Sequence, residues 1–204
     1  MRTAWMVTAA MVAAMETQAK SPKPQMDALV TVCIYNRAGV PWTVMERAKR
    51  VAATAFASAG IEVRWATGNR LGEPREAAAG EMLTVVFDAT APAHLPLAMA
   101  ITNVGREVGA DVYIFYNRVA SRGTGFGERL MPELLGNVLA HELTHALQGL
   151  ARHSNEGLMK AVWSLSDYAE MFRGPLRFAA EDLDLLRAHF NKEMSPVPAL
   201  VAAR

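Results

Sequence analysis

Only one cysteine, Cys33, occurs in the 204 residues. No disulfide can form within the chain, so the fold must rest on its core or on a metal. Cys33 lies in an apolar, strand-like run, which suits buried filler rather than a nucleophile. Neither sign of charge dominates: 21 basic and 20 acidic side chains leave a net +1. Nowhere do Lys and Arg gather into a stripe, which sets aside nucleic acid and anionic membrane as main partners. Long apolar runs are also missing. The run at residues 4–14 falls short of the roughly 20 residues a membrane span needs, and no other run approaches it. The glycines of "SRGTGFGER" (residues 121–129) neither end in Lys-Ser/Thr nor follow a strand directly. This excludes a phosphate loop and reads as a flexible connection. There is no internal repeat.

What remains is an ordinary soluble chain, 51% hydrophobic and 20% charged, with material for one substantial core. Arg2, the apolar run at 4–14 and the small and polar residues up to Lys20 have the layout of a secretory signal. Residues 1–19 are therefore expected to be removed, after Ala14 or Ala19, leaving 20–204 as one domain with its core at about 28–190. The mature chain is expected outside the cytoplasm, secreted or periplasmic, with no membrane contact and a monomer as the simplest state.

Short β-branched runs predict strands at 28–35 (ALVTVCIY), 61–65 (IEVRW), 82–87 (MLTVVF) and 111–116 (DVYIFY), with a weaker one at 97–101 (LAMAI). Thr43 and Glu46 have capping-box spacing, and Val44, Ala48, Val51, Ala55 and Ala59 repeat at helical intervals up to Gly60. Residues 67–80 are polar and glycine-rich, a loop. Pro132 opens a helix that runs to about Gln148 and stops at Gly149. Ala179, Leu183, Leu186 and Phe190 mark one face of a last helix, with Glu181, Asp182 and Asp184 on the other, before a loose tail from about Asn191. This order is α+β, a mixed sheet in a single domain.

Function is concentrated in "HELTHALQGLARHSNEGLMK", residues 141–160. On a helix, His141 and His145 project from one face a turn apart, close enough for two imidazole nitrogens to reach one zinc ion. Glu142 points to the flank of that face, placed to act on a water at the metal rather than on the metal itself. Apolar residues surround these three on the same helix. Burying two imidazoles and a carboxylate there without partners costs a few kcal/mol each, a cost that a metal removes. For a third ligand, His153 can return beneath the metal after a turn at Gly149. Glu156, Asp167 and Glu170 are rivals, and a surface histidine is the bland alternative for His153.

This stretch resembles the zincin metallopeptidases and, within them, the metzincin clan, which has a zinc helix, a glycine turn, a third histidine and a methionine in a tight turn. It is also similar to small secreted bacterial zinc peptidases with the pattern HExxH…H…GxM. The resemblance implies His141, His145 and His153 as ligands of a single zinc ion, Glu142 as general base and Met159 as the Met-turn residue. It implies a zincin-like fold: a twisted mixed sheet whose edge strand lies over the site, an active-site helix, the Met-turn and a C-terminal helix. Leu97, Ala98, Met99, Ala100 and Ile101 would then be the edge strand that pairs with an extended peptide substrate. Tyr168 is a candidate oxyanion donor. The implied activity is a zinc-dependent endopeptidase acting on peptides or proteins. The usual metzincin string places its third histidine six residues after the second, whereas here the gap is eight, with Gln148 where glycine would stand. In the gluzincins, a second resemblance, the third ligand is a glutamate on a later helix, and Glu170 would fill that role. A zinc-stabilised binding module without catalysis is the competing class.

Overall fold

The computed structural model describes residues 28–67, 81–91, 93, 99–103 and 111–193. The expected signal, most of the 67–80 loop, and Leu97 and Ala98 of the expected edge strand lie outside the described residues.

Five strands and five α-helices make up most of the described chain, all but one of the helices following the last strand. They are β1 (Ala28–Asn36), α1 (Trp42–Ser58), β2 (Ile61–Thr67), β3 (Glu81–Asp88), β4 (Ala100–Thr102), β5 (Asp111–Phe115), α2 (Tyr116–Gly123), α3 (Met131–Gln148), α4 (Leu165–Met171) and α5 (Ala180–Glu193). The sheet order is β2-β1-β3-β5-β4, parallel throughout except that β4 runs antiparallel to β5 at the edge. The fold is therefore α+β with a five-stranded mixed sheet. Because β1 has neighbours on both sides, its residues from Val30 to Tyr35 are all buried, as an interior parallel strand requires.

The core forms where α1 and α3 pack together over the sheet. Val30, Val85, Phe87, Val112 and Ile114 meet Ala48 and Phe56 of α1 and Leu134, Leu135 and Leu139 of α3. Gly136 lets the two helices approach closely. A Cβ there would stand 2.5 Å from the Val51 Cβ and 2.7 Å from the Ala48 carbonyl oxygen.

Four expectations from sequence are corrected. The Thr43–Glu46 capping box does not form: Pro41 fixes the backbone one residue before Trp42, so Thr43 already lies in the first turn, and Glu46 pairs instead with Lys49 at 2.6 Å. Residues 121–129 are not a loose connection. They continue α2 and then form two short 3-10 turns (Thr124–Phe126 and Glu128–Leu130), anchored by the fully buried Val119 and Leu130. The last helix reaches Glu193 rather than fraying at Asn191. Asp182, expected on the solvent face of that helix, is fully buried. In addition, α4 appears where the sequence suggested no helix. Its start is a true capping box, the Ser164 hydroxyl and the Asp167 carboxylate each bonding the other's backbone N–H.

Candidate metal centre

Helix α3 carries the first two histidines into the interior. Proline in its first turn starts it, and Gly149, in the left-handed conformation (φ 63°), ends it. His141 and His145 are both buried. Each has its Nδ1 against a backbone carbonyl at 2.9 Å, His141 on Leu158 and His145 on Leu150. A carbonyl only accepts, so each Nδ1 must carry the hydrogen, which leaves each Nε2 a bare lone pair. These two Nε2 atoms face each other at 3.0 Å.

Two acceptors at that distance need a proton or a cation between them. A proton is disfavoured. Burial above all lowers the His141 pKa to about 4; the Leu158 carbonyl and the Asp182 charge oppose that shift, and His153 adds to it. Burial, followed by the neighbouring His141, also lowers the pKa of His145. Near neutral pH both rings are uncharged.

His153 completes the group. Its ring lies 5.3 Å from that of His141 and 5.0 Å from that of His145, and the three donor atoms lie within 4.8 Å of one another. Three nitrogens around a tetrahedral zinc at 2.0–2.1 Å stand about 3.3 Å apart, so the donor types and the 3.0 Å separation of the first pair suit such an ion. His153 is exposed, and the group opens to solvent on its side. Among the described residues this is the one cluster of metal-ligating side chains with such convergence. The rivals lie elsewhere: Glu156 and Glu170 are exposed, and Asp167 is engaged by Lys160 and by Ser164 at the start of α4.

The chain between the second and third histidines is held from outside. Arg152 Nη1 donates to Asp182 Oδ1 at 2.9 Å, and Ser154 Oγ donates to the same oxygen at 2.6 Å. Arg152 also pairs with Glu181 at 2.5 Å. The Ser154 N–H donates to the Met159 carbonyl at 2.8 Å, closing the turn that follows.

In that turn, Met159 is fully buried in the core beside Leu158, whose carbonyl holds His141. The same carbonyl accepts from Trp163 Nε1 at 3.2 Å, and the Leu158 N–H donates to the Arg177 carbonyl at 2.7 Å. Gly157 makes this close approach feasible. Its φ is +69°, and a Cβ there would lie 2.2 Å from the Arg177 oxygen.

Glu142, on the flank of the same helical turn, is half-buried. The Thr102 hydroxyl, at the end of the edge strand β4, donates to Glu142 Oε2 at 2.6 Å. Burial raises the Glu142 pKa, and the Thr102 hydrogen bond is the main influence opposing the rise. Of the expected edge-strand residues, Ala100 and Ile101 belong to β4 and pair with Ile114 and Tyr113, and the Met99 carbonyl accepts from the Phe115 N–H at 2.8 Å. Tyr168 is buried on α4 with its ring 4.7 Å from that of Phe126, and burial raises its pKa. Sequence reasoning passed over Thr102, Asp182 and Trp163. A threonine ending a weak strand, one acid among three and a lone tryptophan give no local signal of what they touch.

No family model matches the chain, and no curated protein matches it. Among solved structures it is similar to archaemetzincin from Methanopyrus kandleri, at 16% identity and a TM-score of 0.50, over 84% of this chain and 99% of that one. A slighter likeness, with a TM-score of 0.46 and 14% identity over 80% of both chains, is to a GM1-bound form of the ECX AB5 holotoxin. At such identity the first likeness shows a shared fold, and the fold is the one on which the three histidines converge.

Proposed function

We propose that the chain is a zinc-dependent metallopeptidase of metzincin-like kind, with His141, His145 and His153 as ligands of one zinc ion and Glu142 as general base. The observation that carries this reading is the pair of carbonyl-locked imidazoles whose bare Nε2 atoms face each other at 3.0 Å, with a third imidazole beside them. The fold shared with archaemetzincin supports it. Bound there, zinc would lower the pKa of a water towards neutral and polarise the scissile carbonyl.

The residues of the chain supply the rest. Glu142 takes the proton of the attacking water and passes it to the departing amine, and its raised pKa suits both transfers. Thr102 fixes one carboxylate oxygen, leaving the other to face the substrate. The edge strand, which includes Ala100 and Ile101, offers main-chain hydrogen bonds to an extended peptide laid beside it. Met159 acts as the Met-turn residue, and Tyr168 as an oxyanion donor. Residues 1–19 serve as a secretion signal, and residues 20–204 act as a monomeric peptidase domain outside the cytoplasm or in the periplasm.

The test is direct. Zinc content and digestion of an unfolded protein are measured for the full chain and for Glu142→Gln. The expected result is one zinc per chain in both, with cleavage reduced in the variant by about 10²–10⁴-fold, the usual contribution of a general base. Full zinc with no cleavage by either would leave a zinc-stabilised binding module. A His153→Ala chain that kept wild-type zinc affinity would remove His153 as a ligand.

A further inference from the structure

We propose that Asp182 is a positioning residue that sets His153 into the metal cluster. The proposal rests on the reading of His153 as a ligand. His145 and His153 are separated by eight residues, two more than in the string they resemble. After Gly149 the chain has no regular structure until Ser154 bridges to Lys160, and His153 itself is exposed. Nothing in this stretch alone dictates where an exposed imidazole points.

Asp182 acts from α5, remote in sequence and fully buried. One of its oxygens, Oδ1, accepts from the residue on either side of His153: from Arg152 Nη1 at 2.9 Å and from Ser154 Oγ at 2.6 Å. The other, Oδ2, faces the Ala179 N–H at 3.3 Å, which ties the carboxylate to the start of its own helix. The carboxylate thus clamps the chain immediately before and immediately after the third imidazole. Glu181 holds the second guanidinium nitrogen of Arg152 at 2.5 Å, so the arginine cannot swing away without breaking two ion pairs. A longer loop is given a fixed end point by a carboxylate outside it.

A role confined to stabilising α5 would also put Asp182 in the interior, so the experiment must separate the two. Zinc affinity of the full chain is measured by competition with a chelator for wild type, Asp182→Ala, His153→Ala and the double variant, and the visible spectrum of each is recorded with Co²⁺. If Asp182 works through His153, Asp182→Ala weakens zinc binding by about 10–100-fold, as loss of an outer-shell partner does. It then adds nothing in the His153→Ala background, and its Co²⁺ spectrum takes the form of the His153→Ala spectrum. Should Asp182→Ala fail to fold, Asp182→Asn keeps the volume and an acceptor for Ser154. It is expected to give a smaller loss that again vanishes in the His153→Ala background. Wild-type affinity in both Asp182 variants, or the same fold-loss with and without His153, overturns the proposal while leaving the ligand set intact. A His153→Ala chain that binds zinc as wild type does overturns the ligand reading, and this proposal with it.

Discussion

The Thr102 hydroxyl is the sole side-chain donor found on the Glu142 carboxylate among the described residues, and it spans from the edge strand to α3. Burial already raises the Glu142 pKa and this bond holds the rise in check, so removing the hydroxyl raises it further. Thr102→Val is close in shape and keeps the strand preference. It should move the acid limb of the cleavage pH profile to higher pH and lower turnover along that limb, with zinc content unchanged. Thr102→Ser should restore both; an unshifted profile in Thr102→Val would mean the bond plays no part in turnover.

His141 carries a pH signature of its own. In the folded, metal-free chain its pKa is lowered to about 4, against the ordinary 6.5 of a histidine. Between those values the unfolded state binds the extra proton, so stability rises with pH and falls as the solution is acidified. Acidification from 6.5 to 4 should remove up to about 3 kcal/mol, with His145 acting in the same direction. Urea midpoints of the chelated protein at successive pH values provide the check, and a flat series would mean that the imidazoles are not buried in neutral form. At this scale the sequence revealed the residues whose chemistry is local. "HELTH" announced its two histidines and its glutamate, but nothing distinguished Asp182 from Glu181 or Asp184. What pulls Asp182 inward is Arg152 and Ser154, 30 and 28 residues away.

Among the elements, α1 and α3 form the pair on which the site is built, and Gly136 sits at their contact. Replacing it with alanine adds a better helix former, worth about 1 kcal/mol in isolation. The new methyl, however, would stand 2.5 Å from the Val51 Cβ and 2.7 Å from the Ala48 carbonyl oxygen, both closer than such contacts allow. Overpacking typically costs 1–3 kcal/mol, so Gly136→Ala should lower the denaturant midpoint, and a raised midpoint would show that the helices have slack. The sequence made β1, β2, β3, β5 and both ends of α3 readable, because β-branched runs, a proline and a glycine act locally. It hid α2 behind glycines at 123, 125 and 127, and of the edge strand expected at 97–101 the described part of β4 takes in Ala100 and Ile101 and adds Thr102. Met82 and Leu83 read as strand without help, but the bounds of β4 depend on its pairing with Ile114, Tyr113 and Val112.

At the scale of the molecule, the proposed ligands fall between residues 141 and 153, yet their geometry is closed by Leu158, Arg177 and Asp182. An unfolded chain cannot present this cluster, so zinc should bind the native state and stabilise it by mass action, by about 2.7 kcal/mol at a hundredfold excess over Kd. For a chain of this size that corresponds to roughly 5–10 °C in Tm. Thermal unfolding with zinc and with chelator should show this difference in wild type and lose it in His145→Ala; equal melting of wild type in both conditions would argue against a native zinc site. The α+β class and the single core were legible from element order and composition. The strand order β2-β1-β3-β5-β4 was not, since it is decided by which distant segments pair.

The Leu158 carbonyl receives both His141 and Trp163, and the indole stands edge-on to the imidazole with ring centroids 5.7 Å apart. Of the other described tryptophans, Trp42 is largely exposed and Trp65 is only partly buried. The molecule therefore carries its own gauge of occupancy: an ion settling on His141 is expected to change the fluorescence of Trp163, which a zinc titration of the chelated chain would read.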